Sequence, residues 1–385
     1  MRHLLRLSFG LVTFVSMIEC SDNLPQTMDG GDAASSDTAV DVIADSAVDA
    51  CATVDTTSDP LNCGVCGKDC LGGTCTNGKC GPVYVSKTEV LVGDIAADAT
   101  GAYWLFQGNS QNYYTDGYVK HVGFANHAPV VKTVVPNGSP GSVAADGTRA
   151  YIGLFGTYKT VGYAGDGTVI ACTNFDCSSA TTLGANGSSY SNVAINSTTA
   201  YWYTLPGDGG TTPTLMSSPK TGGGATAMKN GNIAAQWMRA DATHIYGVAA
   251  GLQQYTLPAG GWKTIDFENA SMGSLAIDAN FAYFVIVQPL QSATVLRCDI
   301  PDCNGGSITM ANDPKNGSIY AVAVGAERLF WNQYLAVYTC LKSSCDTTTE
   351  VLIPGTPTGG IFAMAEYNGV LYWGDNQGSF AYIVY

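Results

Sequence analysis

Seven copies of one short aromatic pattern predict an all-β fold, a seven-bladed β-propeller, for most of this chain. The copies recur at spacings of 48, 50, 45, 37, 47 and 42 residues, and a period of this size indicates a repeat architecture. Short runs of strand-forming residues alternate with turn signals, and no run has a convincing helical period. Four short antiparallel strands in each unit are typical of a propeller blade.

Each copy is built around one aromatic residue. A turn residue stands five positions before it, an alanine stands two positions earlier in six copies, and an apolar residue precedes that position. The aromatic residues are Tyr103, Tyr151, Tyr201, Tyr246, Tyr283, Phe330 and Tyr372, and the turn residues are Asp98, Asp146, Asn196, Asp241, Asp278, Gly325 and Tyr367. We expect the alanines to lie near the crowded axis and the aromatic rings to fill the wider gap farther out.

Residues 1–20 have the pattern of an export signal. Arg2 and Arg6 precede an apolar run that is too short to span a bilayer, which takes about 20 residues. Cys20 and the Ser-Asp-Asn after it resemble the junction of bacterial lipoproteins, in which the cysteine is lipidated, although Glu19 replaces their usual small residue. Two alternatives stay open: an outer-membrane protein anchored only through this lipid, or a soluble secreted protein.

Residues 21–58 predict a disordered acidic linker. The stretch 21–60 contains nine Asp, no Lys or Arg, and almost no aromatic residues. Such a composition buries too little apolar surface to offset chain entropy, and its like charges extend it. The net charge of the whole chain is −14 at pH 7, so we expect no nucleic acid partner.

Residues 59–81 predict a small disulfide-rich module. In an exported chain, its cysteines indicate three disulfides whose pairing the sequence leaves open. Zinc at Cys63 and Cys66 is the alternative, although no second pair has that spacing and no histidine is nearby. The run from Asn62 to Cys80 resembles a Cys-rich module that precedes repeat domains in secreted myxobacterial proteins. This resemblance implies that the protein is secreted or lies at the outer surface, and that the module has no catalytic activity. With Cys51, the cysteines are Cys51, Cys63, Cys66, Cys70, Cys75 and Cys80.

The repeats predict that the propeller extends over residues 82–385. Its first unit predicts strands over 95–98, 102–106, 117–124 and 130–135. The last unit supplies three strands, whereas the segment that follows the Cys-rich module has a fourth-strand pattern without a blade of its own. We therefore predict that this N-terminal segment closes the ring, which removes a free sheet edge. The predicted pairing joins residues near Val90 to residues near Ile383.

Two copies of the aromatic pattern resemble the Tyr-Trp-Thr-Asp signature of the YWTD propellers. The nearer match is Leu371-Tyr372-Trp373-Gly374-Asp375, and the looser one is Leu329-Phe330-Trp331-Asn332. Most of the other copies keep only the Tyr-Trp part. Known members of that family have six blades and bind proteins, so the resemblance implies a propeller that binds proteins. The seven units of this chain depart from the six blades of the family.

Three cysteine pairs in the repeats share the spacing Cys-x4-Cys. Each pair follows a third-strand pattern, so each is expected to form a disulfide across the turn to the fourth strand. A disulfide that closes a loop this short stabilises the fold by about 2 kcal/mol. The predicted disulfides are Cys172–Cys177, Cys298–Cys303 and Cys340–Cys345.

The sequence offers little for catalysis or metal binding. His121 and His127 are expected on the outer side of one blade and His244 in a turn, away from the axis, which disfavours a histidine base or metal centre. The repeated turn aspartates stand on separate blades, where a carboxylate binds nearby backbone N–H groups rather than calcium. We therefore predict no catalytic residue, no metal and no cofactor.

One candidate binding set lies in the connections between second and third strands. Tyr113, Tyr114 and Tyr158 occupy predicted loops that are rich in Tyr, Asn and Gln. These residue types are common where proteins contact sugars or other proteins. The loops therefore predict a contact surface at one face of the ring.

A second candidate set lies on an innermost strand. Arg239 occupies the position that is alanine in the other six copies, beside Gln236 and Trp237. Its guanidinium is expected in the central channel, where it binds a carboxylate or a sugar oxygen, or pairs with a neighbouring acid.

These patterns favour a non-enzymatic binding module, extracellular or attached to the cell surface, with a protein or carbohydrate ligand. The alternative is a propeller enzyme that acts on a polysaccharide or lactone, with a metal in the central channel. A structural surface protein without a specific ligand is the third hypothesis. Fold alone does not decide between them.

Overall fold

The computed structural model describes residues 53–87, 91–158, 165–173, 176–185, 188–189, 193–205, 213–230, 235–249, 251–258, 260–266, 271–287, 293–313, 319–354 and 360–385. The predicted export signal 1–20, Cys20, Cys51 and the linker up to residue 52 lie outside them. No helix within the described residues has the length and apolar character to cross a bilayer.

Seven antiparallel sheets follow one another along the chain, and each has four strand positions, so the predicted seven-bladed propeller is confirmed. In the third blade, two short segments share the first position. The strands of the first three blades are Asp94–Asp98, Gly101–Phe106, Gly117–Ala125 and Ala128–Gly138; Pro140–Ala145, Ala150–Leu154, Thr168–Cys172 and Ala180–Gly184; and Ser188–Ser189 with Ala194–Ile195, Thr199–Leu205, Thr214–Pro219 and Thr226–Asn230.

The remaining four blades repeat the same order. Beside the strands, the described residues contain one 3-10 turn, Ser110–Asn112, and one short helix, Cys345–Thr348. The strands are Gln236–Ala240, His244–Ala249, Gly251–Thr256 and Trp262–Asp266; Ser271–Ile277, Phe281–Val287, Ala293–Asp299 and Ile308–Asp313; Val322–Val324, Arg328–Gln333, Ala336–Leu341 and Glu350–Ile353; and Ile361–Tyr367, Val370–Asp375, Phe380–Val384 and Val83–Ser86.

The ring has two faces, because successive connections of an antiparallel sheet fall at opposite ends of its strands. We call one the upper face: there, second strands lead into third strands and each blade leads to the next. The lower face carries the turns from first to second strands and from third to fourth strands. The first strand of each blade lines the axis.

The N-terminal strand closes the ring, as predicted. Val83 pairs with Tyr382 and Ser86 with Phe380, so Val83–Ser86 becomes the outer strand of the seventh blade. The predicted pairing joined residues near Val90 to residues near Ile383. The ladder does run beside Ile383, over Phe380 to Tyr382, but its partners are Val83 to Ser86, several residues before Val90. Val90 itself lies outside the described residues.

Apolar packing between neighbouring blades forms the core. At the junction of the last and first blades, the rings of Phe380 and Trp104 stack with centroids 4.0 Å apart. Val92 and Tyr372 are buried in the same cluster. The seam where the chain closes on itself is therefore packed like the interior of the ring.

Buried side chains also join the upper ends of inner strands across blade boundaries. The Asp94 carboxylate accepts a hydrogen bond from the backbone N–H of Val143 in the next blade, at 3.0 Å. The hydroxyls of Ser142 and Ser274 accept equivalent bonds from the third and sixth blades, at 3.1 and 3.3 Å. One sequence position thus satisfies a buried donor of the following blade.

The Cys-rich module is held by the disulfides Cys63–Cys75 and Cys70–Cys80, and Cys66 is disulfide-bonded as well. Its ordered structure reaches back into the stretch predicted as linker. The carbonyl groups of Thr56 and Thr57 accept hydrogen bonds from Gly64 and Gly78 of the module.

The module spans the seam between the first and last blades. The Tyr382 hydroxyl of the seventh blade donates a hydrogen bond to the Leu71 carbonyl. On the other side of the seam, His127 in the outer turn of the first blade contacts the Asp69 carboxylate. The module therefore reinforces the site of ring closure.

The three predicted repeat disulfides are confirmed, namely Cys172–Cys177, Cys298–Cys303 and Cys340–Cys345. Each joins the end of a third strand to the turn before the fourth strand, on the lower face. The disulfides of the module and the blades indicate an oxidising, extracellular environment.

Candidate functional site

Two neighbouring loops on the upper face are built in the same way. In the first blade, the Asp116 carboxylate accepts the backbone N–H of Asn109 at 2.7 Å and the side-chain amide of Asn112 at 2.8 Å. In the second blade, the Asp166 carboxylate accepts the N–H and the hydroxyl of Thr157, both at 2.7 Å. An aspartate at the start of each third strand therefore holds the base of the loop.

A glycine makes each of these loop bases possible. Gly108 and Gly156 have φ values of 110° and 84°, a region that side chains rarely adopt. A Cβ atom on Gly156 would lie 2.3 Å from Asp166 Oδ1, so the carboxylate could not keep its position. Together, glycine and aspartate give the two loops matching, fixed starting points.

The two loops bring Tyr113, Tyr114 and Tyr158 together, which the sequence did not show. The Tyr114 and Tyr158 rings meet edge to face with centroids 5.2 Å apart, and the Tyr113 ring lies 6.4 Å from that of Tyr158. Tyr113 is 58% exposed, and the other two are half-buried. We call this group the tyrosine cluster.

Backbone strain supports a role for the tyrosine cluster beyond packing. Tyr113 and Tyr114 have φ values of 54° and 57°, and left-handed backbone at a bulky residue costs about 1–3 kcal/mol. None of the hydrophobic core clusters formed by the described residues includes Tyr113, Tyr114 or Tyr158. Strain of this kind concentrates at ligand-binding sites.

The central channel is narrow, with a volume of about 240 Å³, and its walls are mainly alanine and branched aliphatic side chains from all seven inner strands. Arg239 and Glu366 are the charged residues among the described lining residues. Arg239 projects into the channel as expected, and its Nη1 donates to the Met238 carbonyl at 2.9 Å. Burial lowers the pKa of Arg239, while the negative charge of Asp94 opposes that shift.

The neighbours of Arg239 take different positions. Trp237 packs against the cluster between the fourth and fifth blades and does not belong to the channel lining. It has a φ of 55°, within an irregularity of the pairing between Gln236 and Arg239. The backbone of Gln236 pairs with Val248; its side chain lies outside the described part of the structure.

Glu366 is a channel residue that the sequence reasoning missed. Its Oε1 accepts hydrogen bonds from the backbone N–H of Gly369 and from the Tyr385 hydroxyl, both at 2.8 Å. The signal was available, because the same position in the other six copies is small or aliphatic. These bonds give Glu366 a structural task at the lower end of the channel.

The repeated turn aspartates bind protein groups, in agreement with the sequence interpretation. Asp146 accepts the backbone N–H groups of Thr148 and Arg149 at 3.0 and 2.9 Å, and the Tyr151 hydroxyl at 2.9 Å. It also forms an ion pair with Lys220 of the next blade. In the second to fifth blades, the tyrosine hydroxyl is hydrogen-bonded to the turn residue five positions earlier, a signal that the sequence reasoning did not use.

The structure corrects the expected place of one histidine. His121 lies within the third strand of the first blade, is 4% exposed, and packs against the Tyr103 ring with centroids 4.4 Å apart. Burial lowers the pKa of His121 to about 4. His127 lies in the exposed outer turn, as expected. His244 was expected in the turn between first and second strands and is instead the first residue of the second strand.

One set of three potential metal ligands was found among the described residues: Cys63, Cys70 and Cys80, whose sulfur atoms lie within 4.8 Å of one another. All three sulfurs belong to disulfides, with Cys75 as the fourth partner. Zinc requires thiolates, so this cluster is a disulfide core and the zinc alternative is wrong for these cysteines.

No protein-family model and no curated protein sequence matches the chain. Among solved structures, a catalytically inactive virginiamycin B lyase from Staphylococcus aureus with quinupristin is similar with a TM-score of 0.56 and 7% identity, over 79% of this chain and 98% of that chain. The WD40 β-propeller domain of Doa1 is similar with a TM-score of 0.55 and 13% identity, over 78% and 95% of the two chains. At these identities the likeness establishes the propeller fold alone.

Proposed function

We propose that this protein is a non-enzymatic, extracellular carbohydrate-binding module, and that the tyrosine cluster on its upper face contacts the ligand. The observation that carries the proposal is the meeting of Tyr113, Tyr114 and Tyr158 from two loops with matching bases. Rigid support of this kind preorganises a site and lowers the entropy lost on binding.

The chemistry of the cluster favours a sugar. Tyrosine combines a flat apolar ring with a hydroxyl that donates and accepts hydrogen bonds. A pyranose likewise has an apolar face of C–H groups and an edge of hydroxyls. With a ring as exposed as that of Tyr113 and the edge-to-face pair beside it, one sugar face can stack while its hydroxyls reach the tyrosine oxygens.

Arg239 would add a second contact for an anionic ligand. One guanidinium N–H is directed to the Met238 carbonyl, and Arg239 has further donors in the channel. Because the channel walls are small and aliphatic, a carboxylate that entered there would meet a desolvated cation. Asp94, whose charge already acts on Arg239, is the competing partner.

The order of segments suits display at a cell surface. An export signal, a linker and the module that spans the ring seam would place the propeller at a distance from the membrane. Lipidation at Cys20 would anchor it at the outer membrane, and cleavage without lipidation would release it. Metabolic labelling with a radioactive fatty acid distinguishes these routes, since label on the chain and its loss in Cys20→Ser support the anchor.

The proposal is tested by screening the full chain against a glycan array and titrating the strongest ligand by calorimetry. Tyr158→Ala should weaken binding at least tenfold, because it removes the ring that both other tyrosines approach. Tyr367→Ala is the matched control: this tyrosine is 41% exposed but lies at a lower-face turn. It should leave the affinity unchanged.

Two results would contradict the proposal. One is binding that persists unchanged in Tyr158→Ala. The other is an array without any bound glycan, accompanied by specific capture of a protein ligand or by turnover of a polysaccharide or lactone. Turnover abolished by metal chelation would support the enzyme alternative instead.

A further inference from the structure

A second aromatic group lies at the upper ends of two inner strands. The position two residues before the apolar residue of the inner-strand pattern is glycine in the first, second and fifth blades, as Gly93, Gly141 and Gly273. In the sixth and seventh blades the same position is Tyr320 and Phe362. Large rings therefore replace glycine on two adjacent blades.

These two rings stack on each other. Their centroids lie 5.1 Å apart with an interplanar angle of 12°. Both Tyr320 and Phe362 are half-buried, so part of each ring is accessible to solvent. Neither belongs to a hydrophobic core cluster of the described residues, although many other aromatic residues of the inner and second strands do.

Specific backbone features hold both residues. The side-chain carbonyl of Asn332, which is 0% exposed, accepts the backbone N–H groups of Tyr320 at 2.9 Å and Ala321 at 2.8 Å. Phe362 is the extra residue of a β-bulge, because Ile361 and Ala363 pair with consecutive residues of the next strand. Bulges re-aim a side chain, and a buried amide fixes the other partner.

The stacked pair and the tyrosine cluster lie on one continuous part of the upper face. The pair belongs to the sixth and seventh blades and the cluster to the first and second. Ring closure and the Trp104–Phe380 stack join the seventh blade to the first. Tyr334, which is 61% exposed and has a φ of 58°, adds a strained aromatic residue to the sixth blade on the same face.

We propose that Tyr320 and Phe362 form a second sugar subsite, so that the ligand is an extended β-linked oligosaccharide and not a single sugar. This inference rests on the proposed carbohydrate binding at the tyrosine cluster. An extended chain with equatorial linkages presents flat C–H faces at intervals, and two separated platforms can engage it simultaneously. Contacts at both platforms then add to one binding free energy.

The test uses the full chain and β-1,4-linked glucose and N-acetylglucosamine oligomers from the disaccharide to the octasaccharide. We expect affinity to rise with length up to the oligomer that reaches both platforms. Phe362→Ala should lower affinity for the longest oligomers about three- to tenfold, as expected for one lost ring contact, and leave the shortest binding oligomer unchanged. Tyr158→Ala should weaken binding at every length.

A control for folding accompanies the measurement, because Phe362 lies in a bulge. Tyr320→Leu keeps apolar bulk at this position while it removes the aromatic face, and it should reproduce the loss for long oligomers. Melting curves of both variants should match that of the parent chain. Tyr367→Ala again reports on an exposed tyrosine of the opposite face.

The outcomes separate the two proposals. If a disaccharide binds as tightly as the octasaccharide, or if Phe362→Ala and Tyr320→Leu leave long-chain affinity unchanged, the second subsite is wrong while the tyrosine cluster stands. If both variants weaken short and long ligands equally, the pair is part of the first site and the extended ligand is overturned. If no oligomer of either series binds the parent chain at any length, the extended β-linked ligand is overturned, and the glycan array decides separately whether the carbohydrate function fails.

Discussion

The lower and upper faces of the propeller solve different problems with similar residues. At a lower-face turn, Asp278 accepts two backbone N–H groups, the Tyr283 hydroxyl at 3.3 Å and the Lys342 ammonium of the next blade at 2.9 Å. On the upper face, Tyr113 stands 58% exposed on strained backbone. Tyrosine on one face completes a network, and on the other it is presented to solvent.

Under the proposed function, this difference assigns stability and ligand binding to opposite faces. The lower face holds the repeat disulfides and the ion pairs between blades, so its groups are satisfied internally. The upper face holds all four tyrosine and tryptophan residues of positive φ among the described residues: Tyr113, Tyr114, Trp237 and Tyr334. Substitutions of the turn aspartates on the lower face should therefore change folding, and those of the exposed tyrosines on the upper face should change binding.

Both faces depend on the closed ring, so the largest effect should follow from opening it. Deleting residues 82–92 removes the strand that pairs with Phe380 and Tyr382, together with the buried Val92. The last blade would lose its outer strand, and the seam would lose its packing, at a cost in unfolding free energy on the order of several kcal/mol. We therefore expect the main thermal transition of the propeller to be lost or to fall by more than about 15 °C. Calorimetry measures this shift.

A deletion of equal length within the predicted linker, residues 30–40, is the control and should leave the transition unchanged. An unchanged transition in the 82–92 deletion would mean that the ring does not depend on its N-terminal strand. The two faces would then have to be stabilised independently of closure.

The next effect tests the lower face alone. Asp278→Ala leaves the Lys342 ammonium without its carboxylate in a mostly buried site and removes the acceptor for two backbone N–H groups, so unfolding free energy should fall by about 2–3 kcal/mol. Asp302→Ala breaks the exposed pair with Lys263 and should change it by less than about 1 kcal/mol. Denaturant titration compares the two, and sugar binding should survive in both.

At His121 in the first blade, the stability of the fold should depend on pH. Because burial holds the pKa of His121 at about 4, below its ordinary value, the unfolded chain takes up this proton at a higher pH than the folded chain. The stability that His121 contributes is complete above its ordinary pKa of about 6.5. It decreases as the pH is lowered, by up to ~3 kcal/mol near pH 4.

The His121→Phe variant isolates this contribution. Phenylalanine keeps the contact with the Tyr103 ring but does not titrate, so unfolding free energy should vary less between about pH 6.5 and pH 4 than in the parent chain. A pH profile as steep as that of the parent would assign the acid sensitivity to other groups. The repeat carboxylates are candidates at lower pH, since hydrogen bonds outweigh burial at Asp241 and lower its pKa.

The fold was largely predictable because its signals are local. Alternation of apolar residues, turn residues at fixed offsets and the Cys-x4-Cys spacing each act within one hairpin, and each recurs in several copies. Repetition made the blade count readable even where a single copy, such as the one around Arg239, departs from the pattern. The constant interval from Asp146 to Tyr151 also contained the turn hydrogen bond.

Contacts between distant segments could not be predicted from one sequence. Lys220 reaches Asp146 across a blade boundary, and nothing near either residue specifies that partner. The register of the closing strand was also open, because an outer strand with half-buried positions gives little alternation to fix it. The tyrosine cluster depends on two loops from different blades, so its members were identified by composition but their meeting was not.

The smallest predicted effect has the opposite sign from the others and separates the faces most sharply. Tyr113→Gly replaces a strained residue at a φ of 54° by the one residue that adopts this conformation freely. Its ring is mostly exposed, so little burial is lost. Relief of backbone strain should exceed the entropy that glycine adds to the unfolded chain, and unfolding free energy should rise by up to about 1 kcal/mol. The same variant should weaken sugar binding, since it deletes a ring of the proposed site.

Asn368→Gly, at a φ of 49° in a lower-face turn, is the control: asparagine already tolerates this conformation, so both stability and binding should stay nearly constant. Denaturant titration and calorimetric binding, measured on the same samples, provide the readout. A loss of stability in Tyr113→Gly comparable to that in Asp278→Ala would make Tyr113 a structural residue, and the division between a folding face and a binding face would not hold.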